Sequence, residues 1–276
     1  MPQHDIQPLS LLSTGAVPAT EPWTLLPYSD APSFDTGNLL SRWPRLHAGQ
    51  GLQPPEPGPL AEGWALYHSG KFERAAAVGL RHGREGLALA NQATAIYANY
   101  LEPREAVRQA LFRQVVERAT AQVAIEPDNC QALYWQAYAL GRYSQGISVA
   151  RALAQGLGSK VKGALERVIE LQPQHADAHI ALAAFHSEVI DKVGMLVGRM
   201  TYGVRAETAV ELFERGLRLN PHSASALMEY ARGLLMLEGD VRMAEATRLY
   251  EKAAALEPAD ARERLDVELA RAGLSD

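Results

Sequence analysis

Three histidines offer the plainest chemistry in this sequence. His175 and His179 stand four residues apart, His186 lies seven further on, and Glu188 and Asp191 follow. Side chains at i and i+4 share a helix face, so two imidazoles and a carboxylate there could close on Zn²⁺. Against this, His175 falls in a predicted turn, and His179 and His186 fall where a helix is expected to pack inward. No HExxH string is present, and no metal is assigned.

The single cysteine, Cys130, opens a predicted helix, where a thiolate is favoured. Its place in the pattern described below predicts a structural role instead. One cysteine excludes an internal disulfide and a multi-cysteine zinc site. The glycines at 156/158 and 194/198/203 match neither a dinucleotide fingerprint nor a P-loop and read as helix ends and close helix contacts. Gly194 and Gly198 have the spacing of a membrane dimerisation motif, but Asp191, Lys192 and Arg199 flank them and argue against it. Lys160, Lys162, Lys192 and Arg199 form a small basic set that reads as a solvated surface. No nucleophile or cofactor motif stands out, so a non-catalytic protein without cofactors is expected.

The elements that must position these residues are helices. Four junctions look alike: Ile125-Glu-Pro-Asp-Asn129, Leu171-Gln-Pro-Gln-His175, Leu219-Asn-Pro-His-Ser223 and Leu256-Glu-Pro-Ala-Asp260. Each follows an apolar helical stripe and precedes an Ala-rich segment, which is the signature of a stacked repeat. Eleven of the sixteen prolines lie before residue 60, and the other five, at 103, 127, 173, 221 and 258, fall at helix boundaries. Residues 1–59 are therefore an irregular, Pro-rich segment and 60–276 a helical domain.

Apolar periodicity predicts helices over 60–69, 71–82, 85–101, 103–125, 129–155, 159–171, 175–200, 205–219, 223–238, 241–256 and 259–273. The last is charged on one face and suits a terminal cap. The irregular segment carries Trp23, Tyr28, Phe34 and Trp43, more apolar bulk than a solvated tail needs. A short helix around Asn38–Arg42 is expected within it. Much of 20–50 is expected to dock in extended form on the helical body.

A net charge of −5 argues against a nucleic-acid or anionic-membrane protein, which would carry a basic excess. No 18-residue apolar run exists, so no membrane insertion is expected. Met1–Asp5 lacks a basic leader and Leu9–Leu12 is too short for a signal core, so a cytoplasmic location is expected. Lysine is confined to positions 71, 160, 162, 192 and 252, far fewer than the arginines, which points to a GC-rich bacterial genome.

The strings carry a family resemblance. Ala209, Phe213, Gly216 and Pro221 keep the offsets of the second helix of a tetratricopeptide repeat, and Ala246, Tyr250, Ala253 and Pro258 repeat them. Small residues let two helices approach and the aromatic fills the gap beside them. Gly63, Gly70, Phe72 and Ala75, then Phe112, Val115, Ala119 and Pro127, then Val161, Leu165, Val168 and Pro173, are weaker copies. The proline spacing exceeds the usual period, and the extra residues sit in 146–159 and 190–204. Two consecutive lengthened hairpins, the first opened by Tyr134-Trp135, resemble the regulator-of-microtubule-dynamics type of tetratricopeptide protein. More loosely they resemble proteins associated with tripartite (TRAP) transporters.

The resemblance implies an all-α, superhelical solenoid of antiparallel helix hairpins that acts as a protein-interaction module or adaptor. In such a repeat the concave surface is lined from the first helix of each pair. That assigns Gln131, Tyr134, Tyr138 and Gly141, then Asp177, Ile180, Ala184 and Ser187, then Ser225, Met228, Arg232 and Leu235. With Arg232 the one basic residue among them, a carboxylate clamp is not expected. An apolar-aromatic groove for a helix or extended peptide is. Residues 20–50 could occupy that groove themselves. The alternative is a small-ligand or transport-associated binding protein with a cavity between helices 129–155 and 175–200.

Overall fold

The computed structural model describes residues 22–275, and every structural statement below is made of these residues. The first part of the Pro-rich segment, with Leu9–Leu12, lies outside them. Fourteen α-helices follow one another: α1 (Thr36–Leu46), α2 (Pro59–His68), α3 (Phe72–Arg81), α4 (Gly83–Tyr100), α5 (Glu105–Ile125), α6 (Cys130–Gln145), α7 (Val149–Ala154), α8 (Leu157–Leu171), α9 (Ala176–Val193), α10 (Met195–Tyr202), α11 (Ala206–Leu219), α12 (Ala224–Glu238), α13 (Met243–Ala254) and α14 (Ala261–Ala272).

Two long predicted helices are broken. The stretch 129–155 stops at Gln145, turns through 146–148 and resumes as α7, which Ser148 caps by accepting the Arg151 N–H. The stretch 175–200 stops at Val193 because Gly194 takes φ 83, a conformation that glycine alone adopts without strain. Apolar periodicity runs on through both breaks, so it hides them.

The four Pro junctions work one step later than the prolines themselves. Each proline lies two residues before an N-cap, and the cap side chain accepts the N–H three residues on. Asn129 accepts from Ala132 (3.0 Å), His175 Nδ1 from Ala178 (3.1 Å), Ser223 from Ala226 (3.2 Å) and Asp260 from Glu263 (2.8 Å). Each cap satisfies a donor that the helix itself cannot. The role of His175 is therefore that of a cap.

Packing follows the small-and-aromatic pattern. Phe213 is fully buried and stacks on Tyr230 with centroids 5.1 Å apart. Gly216 and Gly233 make room: a Cβ on the first would sit 2.5 Å from Ile180, and on the second 2.5 Å from Phe213. The tightest backbone approach at a glycine is α3 on α4, where a Cβ on Gly86 would lie 2.0 Å from the Gly79 carbonyl oxygen. Gly86→Ala must therefore push α3 off α4. We expect a loss of about 1–3 kcal/mol, read as a lower denaturation midpoint; an unchanged midpoint would refute the contact.

The arrangement has two layers. Helices α2, α4, α6, α9, α12 and α14 are inner, and each touches the next. Helices α3, α5, α8, α11 and α13 lie outside, each against its inner neighbours. The last inner helix meets the first: Ala261 and Leu265 of α14 share the core with Trp64 and Tyr67 of α2. The solenoid closes on itself.

Residues 22–58 strap this closure from outside. Trp23 stacks on Tyr97 of α4 at 4.1 Å. The α1 helix, longer than expected from sequence, buries Leu39 and Trp43 and sends Arg45 to Glu263 of α14 (2.6 Å). Arg42 donates to the Ala259 carbonyl (3.1 Å). His47 then meets His68 of α2, Nε2 to Nε2 at 3.1 Å, and His68 Nδ1 meets the Asp260 carboxylate at 2.6 Å. Strap, first inner helix and last inner helix are joined through one buried relay.

Candidate functional site

The inner helices enclose a cavity of about 500 Å³. It is lined from α4, α6, α9, α12 and α14, with α7, α8 and α10 at one end. Of the twelve concave positions named from sequence, Tyr134, Tyr138, Gly141, Asp177, Ile180, Ala184, Ser225, Met228 and Arg232 line it. Gln131, Ser187 and Leu235 do not. Gln131 instead accepts from the Trp135 indole (3.3 Å), and the Ser187 hydroxyl donates to the Ala183 carbonyl (3.1 Å).

The two ends differ in chemistry. Leu153, Leu157, Val161, Phe185 and Tyr202 make one end apolar. The other end gathers charges from four helices, α6, α9, α12 and α14. Arg142 donates to Glu229 at 2.9 Å, and Arg232 lies 3.7 Å from the same carboxylate. Arg262 of α14 faces Asp177 at 3.9 Å and Asp266 at 3.7 Å, and donates to Ser225 at 3.3 Å.

Arg262 is the least satisfied of these groups. Its Nε is buried and makes no hydrogen bond, and neither facing carboxylate comes within normal hydrogen-bond distance. Asp266 is itself engaged by the Tyr100 hydroxyl. Burial raises the Asp266 carboxyl to about 6, with Arg262 pulling the other way. Burial also raises the phenols of Tyr134 and Tyr138. The end is electrically balanced but leaves guanidinium donors to spare.

Arg142 and Arg262 escaped the sequence reading for different reasons. Counting helix positions in the repeat skipped Arg142, one residue past Gly141. Arg262 sits on the helix expected to be a cap, and only closure of the solenoid turns it inward.

The strap bounds the polar end without entering the cavity. Arg45, Leu46, His47, Gly49 and Gln50 line a second cavity of about 20 Å³, which shares Asp177, Ser223 and Arg262 with the large one. The Gly49 carbonyl accepts the Asp177 N–H (3.0 Å), and Gln50 donates to the Asp177 carboxylate (3.4 Å). No described residue of 22–58 lines the large cavity.

The histidines are spoken for one by one. His175 is the α9 cap, His179 Nε2 contacts the Pro173 carbonyl (3.0 Å) and His186 Nδ1 accepts the Arg205 N–H (3.2 Å). Burial lowers all three, His175 to about 4. Among the described residues no group of three or more His, Cys, Asp or Glu is placed to hold a metal ion. Burial raises the Cys130 thiol, the opposite of an activated nucleophile. Among the described residues no helix is long and apolar enough to cross a membrane.

Comparison with known proteins places the fold. A family model described as regulator of microtubule dynamics protein 1-3 matches residues 82–270. Among solved structures, TTC0263, a thermophilic tetratricopeptide protein of Thermus thermophilus, is similar with a TM-score of 0.54 and 18% identity, over 78% of this chain and 97% of that one. A human IFIT1 dimer with PPP-AAAA is a more distant likeness, with a TM-score of 0.41 and 16% identity over 81% of this chain and 56% of that one. No curated protein matches. The first structural likeness shows a tetratricopeptide-type helical solenoid, and the family match spans most of the chain: this protein belongs to the regulator-of-microtubule-dynamics family.

Proposed function

We propose that the protein is a non-catalytic binding module whose cavity takes the C-terminal segment of a partner polypeptide, carboxylate first. A tetratricopeptide fold is in general a scaffold for protein interaction. The observation that carries the finer reading is Arg262, a guanidinium that lines the polar end of the cavity with both facing carboxylates beyond hydrogen-bond distance. A carboxylate in the cavity can accept from this guanidinium at closer range than Asp177 or Asp266 does, and charge-assisted hydrogen bonds of this kind are the strong ones. The apolar end then receives the partner's last side chains.

A long extended peptide lying across the module fits less well, because closure of α14 on α2 leaves a cavity where an open solenoid would have a groove. The cavity's volume supports a second reading, a small amphipathic carboxylic acid, since small-molecule pockets span about 300–1,000 Å³.

The test is calorimetric titration with a short apolar peptide as free acid and as C-terminal amide. We expect the free acid to bind about tenfold tighter, and Arg262→Met to abolish that difference while far-UV circular dichroism stays unchanged. Equal binding of acid and amide would refute the carboxylate-first reading. Binding of a medium-chain fatty acid with no peptide binding would establish the second reading instead.

A further inference from the structure

The apolar end of the molecule carries an unusual combination of exposed side chains. Helix α10 buries only Gly198, while Leu196 is 73% and Met200 80% exposed. Gly198 is what lays the helix down: a Cβ there would sit 2.9 Å from Val204 and 3.1 Å from Val189. Beside it, α7 buries nothing and exposes Val149 and Leu153. The two helices share one end, since Tyr202 at the close of α10 packs on Gly158, just beyond α7.

Charge is segregated at the same place. The chain carries a net −5, yet 149–163 and 192–206 contain six basic residues and no acidic one. They are Arg151, Lys160, Lys162, Lys192, Arg199 and Arg205. Lys162 and Lys192 pair with Glu166 and Glu188 of their own helices. Arg151, Lys160 and Arg199 make no ion pair among the described residues and stand exposed.

We propose that this end docks on an anionic membrane surface, with α10 inserted among the headgroups and the basic residues at the level of the phosphates. Apolar side chains with a basic surround are the recognised means of lying on such a surface. The distribution argues for a bilayer over a protein groove. Met195, Leu196, Val197 and Met200 spread over an arc of about 200° on α10, wider than the single stripe a groove reads. Charge complementarity specifies the sign of the surface. The inference is independent of what occupies the cavity.

Flotation of the full chain with vesicles tests this, using phosphatidylcholine alone and phosphatidylcholine mixed with phosphatidylserine. We expect the mixed vesicles to bind at least about tenfold more protein, and the difference to shrink as salt is raised. Leu196→Ser with Met200→Ser should cut binding about tenfold at unchanged thermal midpoint, because both side chains are solvent-exposed in the free protein. Lys160→Glu with Arg199→Glu should erase the preference for phosphatidylserine. Equal binding to both vesicle types, or wild-type binding by both variants, would overturn the proposal. So would capture of the protein by poly-glutamate without any vesicle binding, which would assign the surface to an acidic polypeptide.

Discussion

Asp260→Ala is expected to destabilise the protein by about 3–5 kcal/mol and to loosen both ends of the chain together. The Asp260 side chain is 5% exposed and holds two jobs. It accepts the Glu263 N–H at 2.8 Å as the cap of α14, and it faces His68 Nδ1 at 2.6 Å. Removing it uncaps the helix, a loss of about 1 kcal/mol by itself. It also strands two imidazoles, because His68 in turn meets His47. Asn at 260 keeps the volume and an oxygen for the cap, so a smaller loss is expected.

The wild type should show the same relay through its pH dependence. His47 lies well below its ordinary value because of burial, then of His68 and Arg262 beside it. A base whose folded pKa is depressed is neutral when folded and takes up a proton on unfolding. The unfolded chain therefore binds more protons below about pH 6.5, and stability falls as pH drops through that range. His175, His179 and His186 act in the same direction.

Asp266 opposes them. Held at about 6, it gains its proton in the folded state first and adds stability as pH falls toward its unfolded value. Four histidines outweigh one carboxyl, so the thermal midpoint should decline from about pH 7 to about pH 5. A flat or rising midpoint would sink this account of the buried histidines.

Trp43→Ala is expected to cost about as much, about 3–5 kcal/mol, and to act on the strap first. Trp43 is 2% exposed, stacks on His47 at 3.9 Å and meets Trp64 edge-on at 5.5 Å. Its indole donates to the Leu52 carbonyl at 2.6 Å, which holds the chain as it leaves α1. Limited proteolysis should cut the variant within 22–58 well before α5 to α13. Leu25→Ala, at an 84% exposed position, should be cut as the wild type is. Equal cleavage of Trp43→Ala and wild type would show that the strap is held elsewhere.

The repeat was legible because it is written locally. Prolines at 127, 173, 221 and 258, caps three residues from their donors, and an aromatic between two small residues all lie within one turn or two of each other. The concave positions followed from the same phase, and nine of the twelve line the cavity. What stayed hidden is long-range or masked by composition. His68 and Asp260 are 192 residues apart, and no periodicity announces that they touch. Arg262 reads as a polar face of a capping helix until closure turns that face inward. The breaks at 146–148 and at Gly194 are continuous in apolar character on either side, so pattern alone runs through them.

Closure has a consequence for the order in which the chain is made. Most pairs of helices here are neighbours in sequence and can assemble as each hairpin leaves the ribosome. The first hairpin also pairs early, but one of its faces is not covered then. Its inner helix keeps His68 for Asp260, the cap of α14, and its Trp64 and Tyr67 belong to a core that Ala261 and Leu265 of α14 complete; α14 is made after every other described helix. Until α14 emerges, the oldest hairpin of the solenoid carries an uncovered apolar face. That is the interval in which a nascent chain of this protein depends most on a chaperone, and a chain cut short before α14 would aggregate.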